Sequence, residues 1–135
     1  CPPSVADALN RIRGPFNVSG PAIAAGIAAL ADQPWAQSAV EHNELWRGRL
    51  AEAFAAIGLG VTPSAANFLL LHFGAANGKS AAAADKFLHE RRIIVRRVEE
   101  YGLPGALRMT VGTEDENRAA LDALTAFMRG NGRAQ

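Results

Sequence analysis

Large apolar residues in the first half of the chain recur every three or four positions. Val5, Leu9 and Ile12 form one such set, Ile23, Ile27 and Leu30 a second, and Trp46, Leu50, Phe54 and Ile57 a third. That is the period of helices with one buried stripe. Ser4 is placed to cap the first helix. The loop Gly14-Pro15-Phe16-Asn17-Val18-Ser19 leads into the second, with Ser19 as N-cap and Pro21 just inside. Asp32 and Pro34 restart a long third helix, and Gly58 and Gly60 stop it. Trp35 and Trp46 read as core or packing residues.

The second half alternates strand and helix. Asn67 to Phe73 reads as a continuous apolar strand buried on both faces, and Gly74 to Gly78 as a turn. Ser80 caps an alanine-rich helix carrying Phe87 and Leu88. Ile93-Ile94-Val95 begins a second strand and Leu107 to Val111 forms a third, separated by a loop broken by Gly102, Pro104 and Gly105. Thr113-Glu114-Asp115-Glu116 is a capping box opening a last helix, with Leu121, Leu124 and Phe127 inward. Residues Gly130 to Gln135 read as frayed. The fold class that follows is α+β, about three strands packed with four to five helices.

Within the third strand, Leu107, Met109 and Val111 face one way, and Ala106, Arg108 and Thr110 the other. A guanidinium thus stands between two small residues on the face opposite the apolar one. The geometry leaves room for a carboxylate or phosphate to dock as a bidentate pair. The pattern by itself favours an arginine paired with a nearby Asp or Glu.

Composition narrows the partners. At 135 residues and 14.2 kDa the chain suits one domain with a core. A formal net charge of +1 gives no general attraction to nucleic acid or anionic membrane, so anion binding has to be local. The single cysteine, Cys1, excludes an internal disulfide and a cysteine metal site, and suits a reducing compartment. No apolar run is long enough to cross a bilayer, and no basic start leads an apolar block. The chain opens on Cys1-Pro2-Pro3-Ser4 rather than on methionine, which reads as a fragment or processed product.

Catalytic chemistry is sparse. His42 reads as a surface residue, His72 as a hydrogen-bonded core or edge residue, and His89 as support for a helix end. They are too scattered for a metal site. Gly74 to Ser80 mimics the end of a phosphate loop but lacks its first glycine. Lys79 and Lys86 are the only lysines, both in polar, exposed contexts unsuited to a Schiff base.

Four segments nevertheless form a pattern: Arg13-Gly14-Pro15-Phe16-Asn17-Val18-Ser19, Pro63-Ser64-Ala65-Ala66-Asn67-Phe68, Ile93-Ile94-Val95-Arg96, and Leu107-Arg108-Met109-Thr110-Val111-Gly112-Thr113 with Glu114-Asp115-Glu116-Asn117. In that order the chain resembles the C-terminal part of histidinol-phosphate aminotransferases, fold-type I enzymes dependent on pyridoxal 5′-phosphate (PLP). The likeness runs over about residues 1 to 128. It implies that residues 1–135 are the small C-terminal domain, with 1–33 a connecting segment and the PLP-binding large domain absent. The family's Schiff-base lysine and its cofactor-holding residues precede the start of this chain, so no catalytic or cofactor-binding residue is expected here. The chain alone is then expected to be inactive, to bind no PLP and to bind no metal.

The resemblance carries over four substrate-binding positions. Arg108 matches the family arginine that grips an acidic group of the substrate, and Arg96 a second arginine that helps hold the substrate phosphate. Asn67 matches a residue near the cleft, and Asn17 lies in a loop that passes close to the active site. For Arg96 a surface pairing with Glu99 or Glu100 is the alternative, for Asn67 a turn former, for Asn17 a loop cap. Arg97 reads as solvated. The implied parent is a cytoplasmic homodimer acting on a small anionic, amino-acid-like substrate, without nucleic acid or membrane. Threonine-phosphate decarboxylases, other amino-acid aminotransferases and a non-catalytic ligand-binding module stay open. One departure stands out: Arg91-Arg92 precedes Ile93, where the family usually has glycine.

Overall fold

The computed structural model describes residues 1–74 and 78–130. Its elements are helices α1 (Pro3–Ile12), α2 (Gly20–Ala31) and α3 (Gln33–Ala56), strands β1 (Gly60–Thr62) and β2 (Phe68–His72), helix α4 (Ala81–His89), strand β3 (Arg96–Arg97), a 3-10 turn (Glu99–Tyr101), strand β4 (Ala106–Thr110) and helix α5 (Glu114–Arg129). The expected α+β class holds, with five helices and four described strands. The expected turn over 74–78 falls partly, and the end over 131–135 wholly, outside the described residues.

The chain divides into two compact units, Cys1–Ala39 and Val40–Gln135. In the first, Ser19 caps α2 by accepting the Ala22 N–H, and Asp32 accepts the Trp35 N–H at the head of α3. Ser4 does not cap α1, contrary to expectation. The helix starts two residues earlier, at Pro3, with Pro2 in the cap position and no side-chain cap. Trp35, expected to pack, is 66% exposed. No described side chain of this unit is buried. A piece of under about 40 residues cannot enclose a core by itself.

The second unit is a sheet of order β1-β2-β4-β3, antiparallel throughout, with helices on one face. Leu69 and Leu71 of β2 and Leu107 and Met109 of β4 meet Trp46, Leu50 and Phe54 of α3, Leu88 of α4, and Ala120, Leu124 and Phe127 of α5 in one core. Val61 pairs with Leu71, which pairs with Leu107, so an apolar row runs across β1, β2 and β4 and ends at Arg97 on β3.

Three strand expectations need correction. Strand β2 is buried on one face only: Leu69 and Leu71 are enclosed while Phe68 and Leu70 are half-buried and His72 is exposed. An apolar run allows two-sided burial, but helices cover one side of this antiparallel sheet. Residues Ile93 to Val95 do not pair; only Arg96 and Arg97 join the ladder. Strand β1, which the reading lacks, has three residues, too few to show an alternation.

Two helix ends explain the path of the chain into the sheet. After α3, the Leu59 N–H donates to the Phe54 carbonyl and the Gly58 N–H to that of Ala55, with Gly58 at φ +85°. That is a Schellman stop with glycine where left-handed backbone is required. After α4, the Ile93 N–H donates to the Leu88 carbonyl and the Arg92 N–H to that of His89. The motif is the same, but its left-handed residue is Arg92, at φ +60°. The glycine expected just before Ile93 thus falls on a position whose backbone favours glycine, and this chain fills it with arginine.

Candidate functional site

The uncovered face of the sheet carries the polar residues. Pairing sets Thr62 opposite Leu70, Leu70 opposite Arg108, and Arg108 opposite Arg96. Directly opposed residues share a face, with Cβ atoms about 4.5–5.5 Å apart. Two arginines are therefore rooted directly opposite each other on one face, a like-charge pairing that destabilises the sheet unless an anion stands near them.

Neither cation is neutralised. Arg108 makes no ion pair among the described residues. Its Cζ lies 5.1 Å from the centroid of the Phe68 ring, and its Nε is buried with no hydrogen-bond partner among the described residues. A buried donor on a charged group, left unmatched, costs roughly 1–3 kcal/mol or more. Arg96 pairs with neither Glu99 nor Glu100; its NH2 donates to the Tyr101 hydroxyl at 3.0 Å. Glu99 is engaged instead by Arg97, which is exposed as expected.

The end of β4 is fixed by a buried amide. Asn117, 1% exposed on α5, accepts the Gly112 N–H through Oδ1 at 2.9 Å and donates through Nδ2 to the Gly112 carbonyl at 2.9 Å. His42 Nε2 donates to the same carbonyl at 2.9 Å. The capping box is present: Thr113 accepts the Glu116 N–H, and Glu116 accepts the Thr113 N–H and hydroxyl. Those two donors hold the Glu116 carboxyl below its ordinary value.

The four expected site residues do not all gather. Arg96 and Arg108 stand together on the sheet. Asn67 precedes β2, exposed, with its carbonyl accepting the Val111 N–H at 2.9 Å beyond the end of β4. Asn17 belongs to the other unit, in a loop where Phe16 is 96% exposed at φ +55°. Tyr101, Phe68 and Asn117 were not singled out in the sequence. Asn117 had a legible signal, since it heads the stripe Asn117–Ala120–Leu124–Phe127 as its one polar member.

The other polar candidates have structural partners. His72 hydrogen-bonds Thr62 Oγ1 at 2.7 Å and is exposed at the end of the central strand β2, while His89 lies in the last turn of α4. Lys79 is half-buried rather than exposed, because its ammonium donates to the Met128 carbonyl near the end of α5. No group of three potential metal ligands exists among the described residues, and no described helix is long and apolar enough to cross a membrane.

A family model for aminotransferases of class I and II matches residues 1–124. The chain belongs to that family. It is 50% identical over 127 residues to a histidinol-phosphate aminotransferase of Rhodopseudomonas palustris strain BisB18, covering 94% of this chain and 35% of that protein. It is likewise 50% identical over 126 residues to one of Maricaulis maris, covering 93% and 35%. A Burkholderia pseudomallei crystal structure assigned to the aminotransferases superposes with a TM-score of 0.72 at 29% identity, covering 94% of this chain and 38% of that one. A decarboxylase from Sulfurospirillum multivorans superposes at 0.68 with 23% identity, a likeness of fold alone, over 93% and 37%. This member of the family thus spans about a third of the length of the curated relatives it matches.

Proposed function

We propose that this chain is the part of a PLP-dependent aminotransferase that grips the anionic end of the substrate, and that the parent enzyme is a histidinol-phosphate aminotransferase. One observation carries the reading: Arg108 and Arg96 oppose each other on the uncovered face without a carboxylate between them. An acidic group held by both cations relieves their repulsion and engages the unmatched Arg108 donor. A charge-assisted contact of this kind contributes roughly 1.5–3 kcal/mol. The role of the site is to bind and orient the substrate and to exclude water around its acid group. Asn67, beside the end of β4, and Asn17, in the connecting segment 1–33, are secondary contacts in this reading.

PLP serves the parent by acidifying the substrate α-carbon. The residues described here do not fit its aldehyde. Lys79 is committed to the Met128 carbonyl, and Lys86 stands on the last turn of α4, on neither strand that carries the arginines. The Schiff-base lysine is read as lying in a large domain outside this sequence. The chain alone is then inactive, and the full-length enzyme is a cytoplasmic homodimer. Half-identity to histidinol-phosphate aminotransferases favours that donor over threonine phosphate.

The test is a panel of amino donors given to the full-length polypeptide: histidinol phosphate, aromatic amino acids and threonine phosphate. The reading expects the highest kcat/KM for histidinol phosphate. A preference for an aromatic amino acid, or carbon dioxide release from threonine phosphate, contradicts it.

A further inference from the structure

Tyr101 is the residue on the uncovered face that neither the motif nor the proposed clamp accounts for. It stands at the end of the 3-10 turn that follows β3. The turn is fixed by backbone bonds: the Tyr101 N–H donates to the Val98 carbonyl at 3.0 Å and the Gly102 N–H to that of Glu99 at 2.9 Å. Val98 is buried, and Gly102 takes the left-handed conformation at φ +78° that closes the turn. The phenol is therefore mounted on rigid backbone although its ring is 62% exposed.

Its contact with Arg96 has two parts. The hydroxyl oxygen accepts from NH2 at 3.0 Å, and the ring centroid lies 5.8 Å from Cζ. Of the two carboxylates of this turn, Glu99 is engaged by Arg97, and Glu100 makes no ion pair among the described residues. Arg96 is thus restrained by a neutral oxygen where an acid stands two residues earlier. A carboxylate partner would hold the guanidinium as firmly but cancel its charge. A neutral acceptor holds it and leaves the charge for a ligand. The Tyr101 O–H proton takes part in no hydrogen bond among the described residues, so it remains available as a donor to the same oxyanion.

We propose that Tyr101 is a positioning residue of the oxyanion site, fixing Arg96 beside Arg108 without neutralising it. The inference rests on the clamp reading above and adds to it the group that sets the charge and pose of the second arginine.

The experiment is a titration of the 135-residue chain with inorganic phosphate, followed by the side-chain Nε–Hε signals of its arginines in nuclear magnetic resonance. Wild type is expected to shift at Arg96 and Arg108 but not at Arg97. Tyr101→Phe keeps the ring and removes the oxygen, and is expected to weaken phosphate binding about three- to fivefold, the size of an exposed charge-assisted contact. Tyr101→Glu supplies an acid instead and is expected to weaken it more than tenfold, although it can hold Arg96 equally well. A loss of packing alone does not produce that order, because both variants keep the turn and their melting temperatures serve as the control. Wild-type affinity in both variants, together with loss of binding in Arg108→Ala, overturns the role of Tyr101 and leaves the clamp standing. No shift at either arginine in wild type overturns both.

Discussion

Arg92 offers a clean test of how local backbone chemistry shapes this fold. It occupies the left-handed position of the Schellman stop after α4, at φ +60°. Its side chain is exposed and makes no ion pair or side-chain hydrogen bond among the described residues. A residue with a Cβ in that conformation costs about 1–2 kcal/mol. Glycine avoids the clash but loses about 0.4–1 kcal/mol through the greater freedom of its unfolded chain. Arg92→Gly should therefore stabilise the protein by a net of about 0.5–1 kcal/mol. Arg92→Ala keeps the strain and removes only the exposed side chain, so it should change stability by less than about 0.5 kcal/mol. Urea unfolding of the 135-residue chain reads the difference. With a slope of about 1.5 kcal/mol per molar, the glycine variant should unfold about 0.3–0.7 M later than wild type, with its slope unchanged. A glycine variant no more stable than the alanine variant would refute the reasoning, because it would mean that the left-handed backbone at Arg92 carries no strain.

Two further predictions concern the joint between β4 and α5. Asn117→Ala removes the acceptor of the Gly112 N–H and one of the two donors to its carbonyl, leaving His42 as the other, and should destabilise by about 1–3 kcal/mol in thermal unfolding; a loss under about 0.5 kcal/mol would show that the amide does not pin the strand end. The Glu116 carboxyl titrates below its ordinary value of 4.5 in the folded chain, so its stabilisation is complete above that pH and is lost on acidification through the lower folded value. Glu116→Gln should flatten that part of the stability profile. Gly112→Ala should flatten it too, because an added Cβ would stand 2.6 Å from Glu116 Oε2 and 3.1 Å from its Cβ, displacing the carboxylate from the cap. Wild-type acid sensitivity in either variant contradicts the assignment.

The sequence revealed most where a local rule has one outcome. Ser19, Ser80 and Thr113 each cap a helix as their positions require, because an N-cap side chain satisfies a donor within three residues. The alternation around Arg108 placed it opposite the core, since period two needs no knowledge of the partner strand. What escaped depends on distance in the chain. That Arg96 faces Arg108 is a matter of register between β3 and β4, which the order Ile93-Ile94-Val95-Arg96 does not contain. Its apolar content suggested a longer strand, whereas the left-handed turn at Arg92 delays pairing until Arg96. Tyr101 was hidden for a similar reason. A tyrosine in a glycine- and proline-rich loop reads as solvent-facing until the 3-10 turn shows where its hydroxyl lies.

The claim on which the functional account depends is that the Arg108 guanidinium reads an acidic group of the substrate. Histidinol phosphate and histidinol differ by that group alone. The decisive measurement is the ratio of their kcat/KM values in the full-length enzyme and in its Arg108→Ala variant, with PLP absorbance confirming that the cofactor is retained. A contact of roughly 1.5–3 kcal/mol predicts that the ratio falls by about tenfold or more in the variant. A ratio equal to that of wild type would contradict the account.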